Sequence, residues 1–297
     1  MLRPHNPEHS QTNERAQSRF IYFGTPTVAS DTLTMLIEHG FMPALVVTSP
    51  DAPRGRGLVL TPSPTKTLAL AHDIPVFTPE KLDADAFRAI AAYSADYGVC
   101  VAYGKIFPDE LISAFPKGVL NIHYSLLPKY RGATPLETAL LAGERETGVT
   151  IQKMVKELDA GDIIAQEATP IAQGETAREL RPRLITLGAQ ILINTLPLFE
   201  RGDITPTPQD ASLATRAYKI KKEDGLLALD APAQDNWNKY RAYSDSIGTY
   251  FMKDGKRMKI TKAENTKGVF RVLRVIPEGK REMTFQNTPE SRKTENG

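Results

Sequence analysis

The sequence predicts an α/β protein: a doubly wound, mostly parallel sheet followed by a small β-barrel. Three observations predict it. Short apolar runs alternate with helical stretches through the first half of the chain. The pattern turns β-rich, with hairpin-like spacing, from Thr147. Beyond a Pro-rich segment come only short alternating runs around one helix.

Arg19–Gly24 is an apolar run closed by Gly24, Thr25 and Pro26, a buried first strand and its turn. Val28, Leu33, Leu36 and Ile37 give Val28–His39 one apolar helical face, and Gly40 is placed to end it. Ala44–Ser49 reads as a strand, Thr65–His72 as a helix, Pro75–Thr78 as a strand and Ala84–Tyr93 as a helix. Tyr97–Tyr103 and Val119–Tyr124 complete the series. Thr147–Val155 and Asp162–Ile171 are β segments joined across Lys156–Gly161. Thr176–Arg201 is a long amphipathic helix that Pro182 and Pro197 are expected to interrupt. Asp203–Ser212 (DITPTPQDAS) has the composition of a linker. Ala217–Ile220, Leu226–Leu229, Thr249–Lys253, Arg257–Lys262 and Val269–Ile276, with a helix about Gln234–Tyr243, make up the barrel. The expected organisation is a disordered tail over 1–18, an α/β domain over 19–202, a linker over 203–212, a β-barrel over 213–286 and a polar tail over 287–297.

Composition narrows the function. At 41% hydrophobic and 24% charged, the 297 residues fit a globular protein and not a disordered one. No apolar run reaches membrane-spanning length, and residues 1–18 lack the apolar core of a signal peptide, so the expectation is cytoplasmic. Cys100 is the sole cysteine, which excludes an intrachain disulfide and a Cys-based zinc site. Of the histidines His5, His9, His39, His72 and His123, two lie in the tail. No metal is expected; a cofactor-free enzyme, or one with a diffusible organic cosubstrate, is favoured over a metalloenzyme. Gly24-Thr25-Pro26 is not the G-x-G-x-x-G fingerprint, which argues against a dehydrogenase. Residues 1–211 hold 19 basic and 24 acidic side chains, whereas residues 212–297 hold 18 basic and 11 acidic. A basic C-terminal module meets an anion, nucleic acid first, or else is only a solvated surface.

Asn121 and His123 close the fifth apolar strand and, two residues apart, project from one face of it. Ligands of open α/β sheets bind at this carboxyl end. An amide beside an imidazole is an oxyanion-stabilising pair, although a strand-end histidine is often just satisfied by nearby backbone. Asp159, in the turn joining the two later β segments, is placed to orient His123, or else is a turn residue. His39 and His72, near helix ends, read as structural. Arg54 and Arg56 alternate with Gly55 and Gly57, an arrangement suited to phosphate contact or to a solvated loop.

Asn121-Ile122-His123-Tyr124-Ser125-Leu126-Leu127-Pro128, followed by Lys129-Tyr130-Arg131-Gly132-Ala133, resembles the N-x-H-x-S-L-L-P signature of 10-formyltetrahydrofolate-dependent formyltransferases. Asp159 falls in that family's D-x-G motif, 36 residues after His123. Gly24-Thr25-Pro26, Ser49–Gly57 and Pro62-Ser63-Pro64 look like the methionyl-tRNA branch of the family. The resemblance runs from about Arg19 to Phe285, fading after Ile171. It implies a Rossmann-like catalytic domain, an OB-like barrel, and formyl transfer from 10-formyltetrahydrofolate to the methionine amine of initiator tRNA. It also implies roles. Asn121 and His123 would stabilise the oxyanion, with Asp159 holding His123 and relaying the proton. Ser125, Leu126, Leu127 and Pro128 would lie beside the folate, and Val101, Tyr103, Gly104 and Asp162 would cradle the pterin. Arg54, Arg56 and Lys66 would meet the acceptor stem and the basic module would track the tRNA. A monomer without metal or membrane contact is expected.

The sequence departs from the family in places. Tyr124 stands where a small residue or proline is more common, which is expected to narrow the formyl pocket or add a stacking surface. Ser244–Phe251 replaces an N-P-x-P stretch, and the chain ends soon after Pro277-Glu278-Gly279-Lys280, so a short C-terminal module is expected. Two other readings remain open: the same chemistry on an aminosugar nucleotide or other small amine, and an RNA-binding protein on a degenerate enzyme scaffold.

Overall fold

In a computed structural model, which describes residues 18–55 and 57–285, the first half of the chain lays down five parallel strands. β1 (Phe20–Gly24) is fully buried and leads into α1 (Thr27–Glu38). Gly40, at φ 85°, ends that helix: its N–H donates to the Ile37 carbonyl, and the Phe41 N–H to that of Leu36. β2 (Leu45–Val47) is followed by an exposed hairpin, β3 (Ala52–Arg54) and β4 (Val59–Thr61). α2 (Pro64–Ala71) starts where the Ser63 hydroxyl accepts from the Lys66 N–H. β5 (Val76–Phe77), α3 (Ala84–Ala91), β6 (Tyr97–Val101), α4 (Asp109–Ser113) and β7 (Val119–His123) follow.

β8 (Arg131–Gly132) and α5 (Pro135–Leu141) then lead to the antiparallel pair β9 (Glu146–Lys153) and β10 (Ile163–Pro170). The seven-stranded sheet runs β10-β9-β7-β6-β1-β2-β5, with β9 antiparallel to β7. β1 pairs with β2 on one side and β6 on the other, so the strand order reverses there. The carboxyl ends on either side of such a reversal open a crevice.

One sheet face, carrying Tyr22, Val46, Val99, Leu120 and Ile122, packs against α1 and α6 (Ala177–Arg201). The other, carrying Ile21, Phe23, Val47, Cys100 and Val119, packs under Phe107, Leu111 and Phe115. α6 runs unbroken through Pro182 and Pro197, contrary to the expected interruption. Each interior proline costs about 3 kcal/mol, but Leu180, Leu184, Leu192 and Leu196 are fully buried and each contributes about 1.5–3 kcal/mol. The buried face wins. Leu192→Ala is accordingly expected to lower stability by about 2–5 kcal/mol, read from the denaturant midpoint.

The C-terminal module is an antiparallel sheet, consistent with a small barrel: β12 (Thr249–Lys253), β13 (Lys256–Thr266), β14 (Val269–Pro277) and β15 (Met283–Thr284), after β11 (Arg216–Ala217) and α7 (Ala233–Ala242). Its core is Leu227, Phe251, Met258, Ile260, Phe270, Val272 and Val275. Two of the expected barrel strands differ. β11 pairs with β8 of the catalytic half, and Leu226 makes a single bridge to Tyr250. The module is pinned to α5 and α6: Arg181 donates to Asp245 at 2.6 Å and to Glu137 at 2.7 Å. No helix among the described residues is long and apolar enough to cross a membrane. Of the tail expected over 1–18 only Ser18 is described, and residues 287–297 lie outside the described residues.

Candidate active site

His123 ends β7 and is buried; Asn121, two residues back on the same face, is half-buried. Across the sheet, β7 pairs with β9 so that Asn121 lies opposite Gln152 and His123 opposite Thr150. Polar residues on β9 thus match polar residues on β7, between the apolar rows of Ile122 and Ile151. The Nε2–H of His123 donates to the Tyr130 carbonyl at 2.9 Å, since a carbonyl only accepts. Its Nδ1 stands 3.6 Å from the Asp159 carboxylate. The β9–β10 turn thus delivers Asp159 to the strand-end histidine.

Asp159 is itself fixed from several sides. It adopts φ 51°, the left-handed region that few non-glycine residues enter. Its Oδ2 accepts from the Gly132 N–H at 2.8 Å and its Oδ1 from Gln152 at 2.9 Å. Gly132 (φ 127°) and Gly161 make this packing possible: a β-carbon on either would fall 2.2 Å from the Ala217 carbonyl oxygen or 1.7 Å from that of Lys153. Gln152 has a sequence signal, a polar residue within a buried strand. Gly132 has one only in hindsight.

The expected cosubstrate-binding residues fall on the segments that follow β6 and β7, with Asp162 in the β9–β10 turn. Val101 ends β6, and the chain then turns through Ala102 (φ 47°) and Gly104 (φ 83°). Tyr103 is buried on Phe23 and Phe107, its hydroxyl without a hydrogen-bond partner among the described residues. Gly104 has no atom within 4 Å of where a β-carbon would stand, and Ile106 is 91% exposed. After β7, the Ser125 hydroxyl donates to the Lys129 carbonyl, and the Leu127 N–H to Thr150. Thr150 donates in turn to the Ser125 carbonyl, and Gln166 donates to the Leu127 carbonyl. Leu126 packs over Gly148, and Pro128 closes the turn, its carbonyl accepting from the Thr215 N–H. Asp162 is exposed, and its carbonyl accepts from the Lys153 N–H.

One residue sits elsewhere than expected. Tyr124 does not line the crevice. It follows Ile122 on the α6 side, its ring against Gly188, because alternation along β7 sends residues 122 and 124 away from His123. Lys66 is held by Asp51 at 2.8 and 2.9 Å, so its charge is already partnered. Arg54 is exposed on the β3–β4 hairpin; Arg56 lies outside the described residues.

Cys100, opposite Asn121 on β6, is sealed in. Burial pushes its thiol up to about 12, so the inert thiol dominates at neutral pH. The native protein is expected to resist alkylation at pH 8 and to react once unfolded. Rapid labelling of the folded chain, followed by mass spectrometry, would contradict that.

The profile described as "Formyl transferase" matches residues 17–196, and that described as "Formyl transferase, C-terminal domain" matches residues 219–270. The chain is 43% identical to the methionyl-tRNA formyltransferase of Synechococcus sp. (strain JA-2-3B'a(2-13)), over 82% of this chain and 77% of that protein. It is 42% identical to that of Geobacter sulfurreducens, over 88% and 84%. Among solved structures it resembles an N-formyltransferase from Helicobacter canadensis in complex with folinic acid and dTDP-3-aminofucose. The TM-score is 0.65 at 18% identity, over 91% of this chain and 100% of that one, a likeness of fold. The chain belongs to the formyl transferase family, among its methionyl-tRNA formyltransferases.

Proposed function

We propose that this chain transfers a formyl group from 10-formyltetrahydrofolate to the α-amino group of methionine carried by initiator tRNA. One observation carries the reading: a strand-end histidine facing a turn aspartate, 3.6 Å apart, in a chain 43% identical to a methionyl-tRNA formyltransferase over 82% of its length. The folate, held by the 101–104 and 125–128 segments, supplies the formyl carbon at which the amine attacks.

The chain's own residues do the rest. Asn121 and His123 donate to the formyl oxygen as negative charge develops on it, the moment at which such donors act. His123 Nε2–H rests on a neutral carbonyl in this state. A developing oxyanion is the stronger acceptor and takes that hydrogen over. The Asp159 carboxylate faces Nδ1 and holds the ring. Asp159 also accepts the proton the amine sheds and passes it to the folate nitrogen, whose bond to the formyl carbon breaks as the oxyanion collapses.

The tRNA reading draws on two surfaces. Arg54 stands on the hairpin, beside Leu58, Val59 and Leu60, which are each about two-thirds or more exposed. Apolar groups uncovered beside a cation form an interaction surface. The C-terminal module supplies the excess of basic over acidic side chains. Affinity for Met-tRNA is therefore expected to fall steeply between about 50 and 200 mM salt, and Arg54→Ala to flatten that slope by about one contact. Salt-insensitive binding, with formylation of an aminosugar nucleotide instead, would transfer the activity to a small amine.

A further inference from the structure

The segment between the two halves of the molecule lies against the catalytic loops. Thr207 exchanges both backbone hydrogen bonds with Ile163 at 2.8 Å. Thr215 accepts from the Tyr130 N–H through its hydroxyl at 2.8 Å, and from the Arg131 N–H through its carbonyl at 2.9 Å. Between these anchors Gln209 reaches inward. Its Nε2 donates to the Asp159 carbonyl at 2.9 Å and to the Gly161 carbonyl at 2.6 Å. Its Oε1 accepts from Arg131 Nε at 3.1 Å and from Nη2 at 2.8 Å.

We infer that Gln209 is a positioning residue, a clamp that holds the Asp159 turn in the conformation that brings its carboxylate to His123. The inference rests on the catalytic reading of that pair. The amide has only one orientation here. Arg131 is buried and can only donate, so the Gln209 oxygen must face it and the NH2 group must face the two carbonyls. Those carbonyls bracket the turn on either side of Ala160. Asp159 is held at φ 51°, a backbone state that persists where its surroundings over-determine it. Gln152 and Gly132 fix its carboxylate; Gln209 fixes its main chain. Because Gln209 belongs to the connecting segment, the catalytic turn and the C-terminal module share one mechanical link.

The test uses Gln209→Met, which keeps the side chain's bulk, and Gln209→Glu, which keeps an acceptor for Arg131 but loses the donor to both carbonyls. Each is made alone and together with Asp159→Asn. Gln209→Met is expected to lower kcat about ten-fold or more, with KM for folate and Met-tRNA near wild type. Gln209→Glu is expected to lose as much. In the Asp159→Asn background Gln209→Met is expected to add little, because residues that act as a unit are not additive. Amide exchange at Gly132, whose N–H rests on the Asp159 carboxylate, is expected to quicken in Gln209→Met. A fully active Gln209→Glu, additive losses in the double variant, or a change confined to KM for tRNA would each overturn the clamp. Should the wild type leave Met-tRNA unformylated, the functional reading falls by itself. Exchange at Gly132 still decides the clamp then, and unchanged protection in Gln209→Met overturns it.

Discussion

His123→Ala is expected to depress kcat for formyl transfer on the order of 100-fold or more, the largest effect of any single side-chain deletion in the site. The magnitude follows from where the donor acts. A hydrogen bond present equally in ground and transition states would change KM and leave kcat alone; one that strengthens as charge develops appears in kcat. His123 is buried, its ring held on the Tyr130 carbonyl at 2.9 Å and 3.6 Å from Asp159, so the donor exchanges one acceptor for a stronger one when the oxyanion forms. Single-turnover transfer by variant and wild type, with folate binding measured alongside, isolates the effect. A variant that binds folate normally and transfers within a few-fold of wild type would remove His123 from the chemistry.

Gly161→Ala is expected to cost about as much in rate by a different route. The added β-carbon would stand 1.7 Å from the Lys153 carbonyl oxygen and 2.8 Å from its carbon. Both are backbone atoms at the end of β9, where the Lys153 N–H donates to the Asp162 carbonyl at 2.9 Å, so neither can step aside cheaply. The turn must move instead, and it carries Asp159. A shift of about 1 Å in a catalytic group costs on the order of 100-fold, and the overpacking about 1–3 kcal/mol of stability. Rate and denaturant midpoint are expected to fall together. Wild-type kcat in a folded Gly161→Ala protein would show that the turn's position does not matter.

The parallel strands were legible because each is an apolar run bounded by turn residues, buried on both sides in the sheet. The catalytic pair was legible in part. Alternation placed Asn121 and His123 on one face, but the meeting of His123 with Asp159 depends on β9 lying beside β7, a long-range pairing that spacing alone does not encode. α5 carries Pro135 at its start, Leu136, Ala139 and Leu140 at helical spacing, and Gly143 beyond, yet at seven residues it is too short for periodicity to separate from a buried strand. The β3–β4 hairpin is exposed throughout most of its length and has no buried face to write a period of two into the sequence. Gln209 sits in a Pro-rich stretch whose composition reads as a spacer. Its importance comes from the two carbonyls and the guanidinium it meets, and an uncharged amide leaves no motif.

Formyl transfer is tested by incubating the protein with 10-formyltetrahydrofolate and charged initiator Met-tRNA, then releasing and identifying the amino acid from the tRNA. Formylmethionine is expected with the wild type and only methionine at the same time point with His123→Ala. Unmodified methionine from wild-type protein that binds both substrates would contradict it.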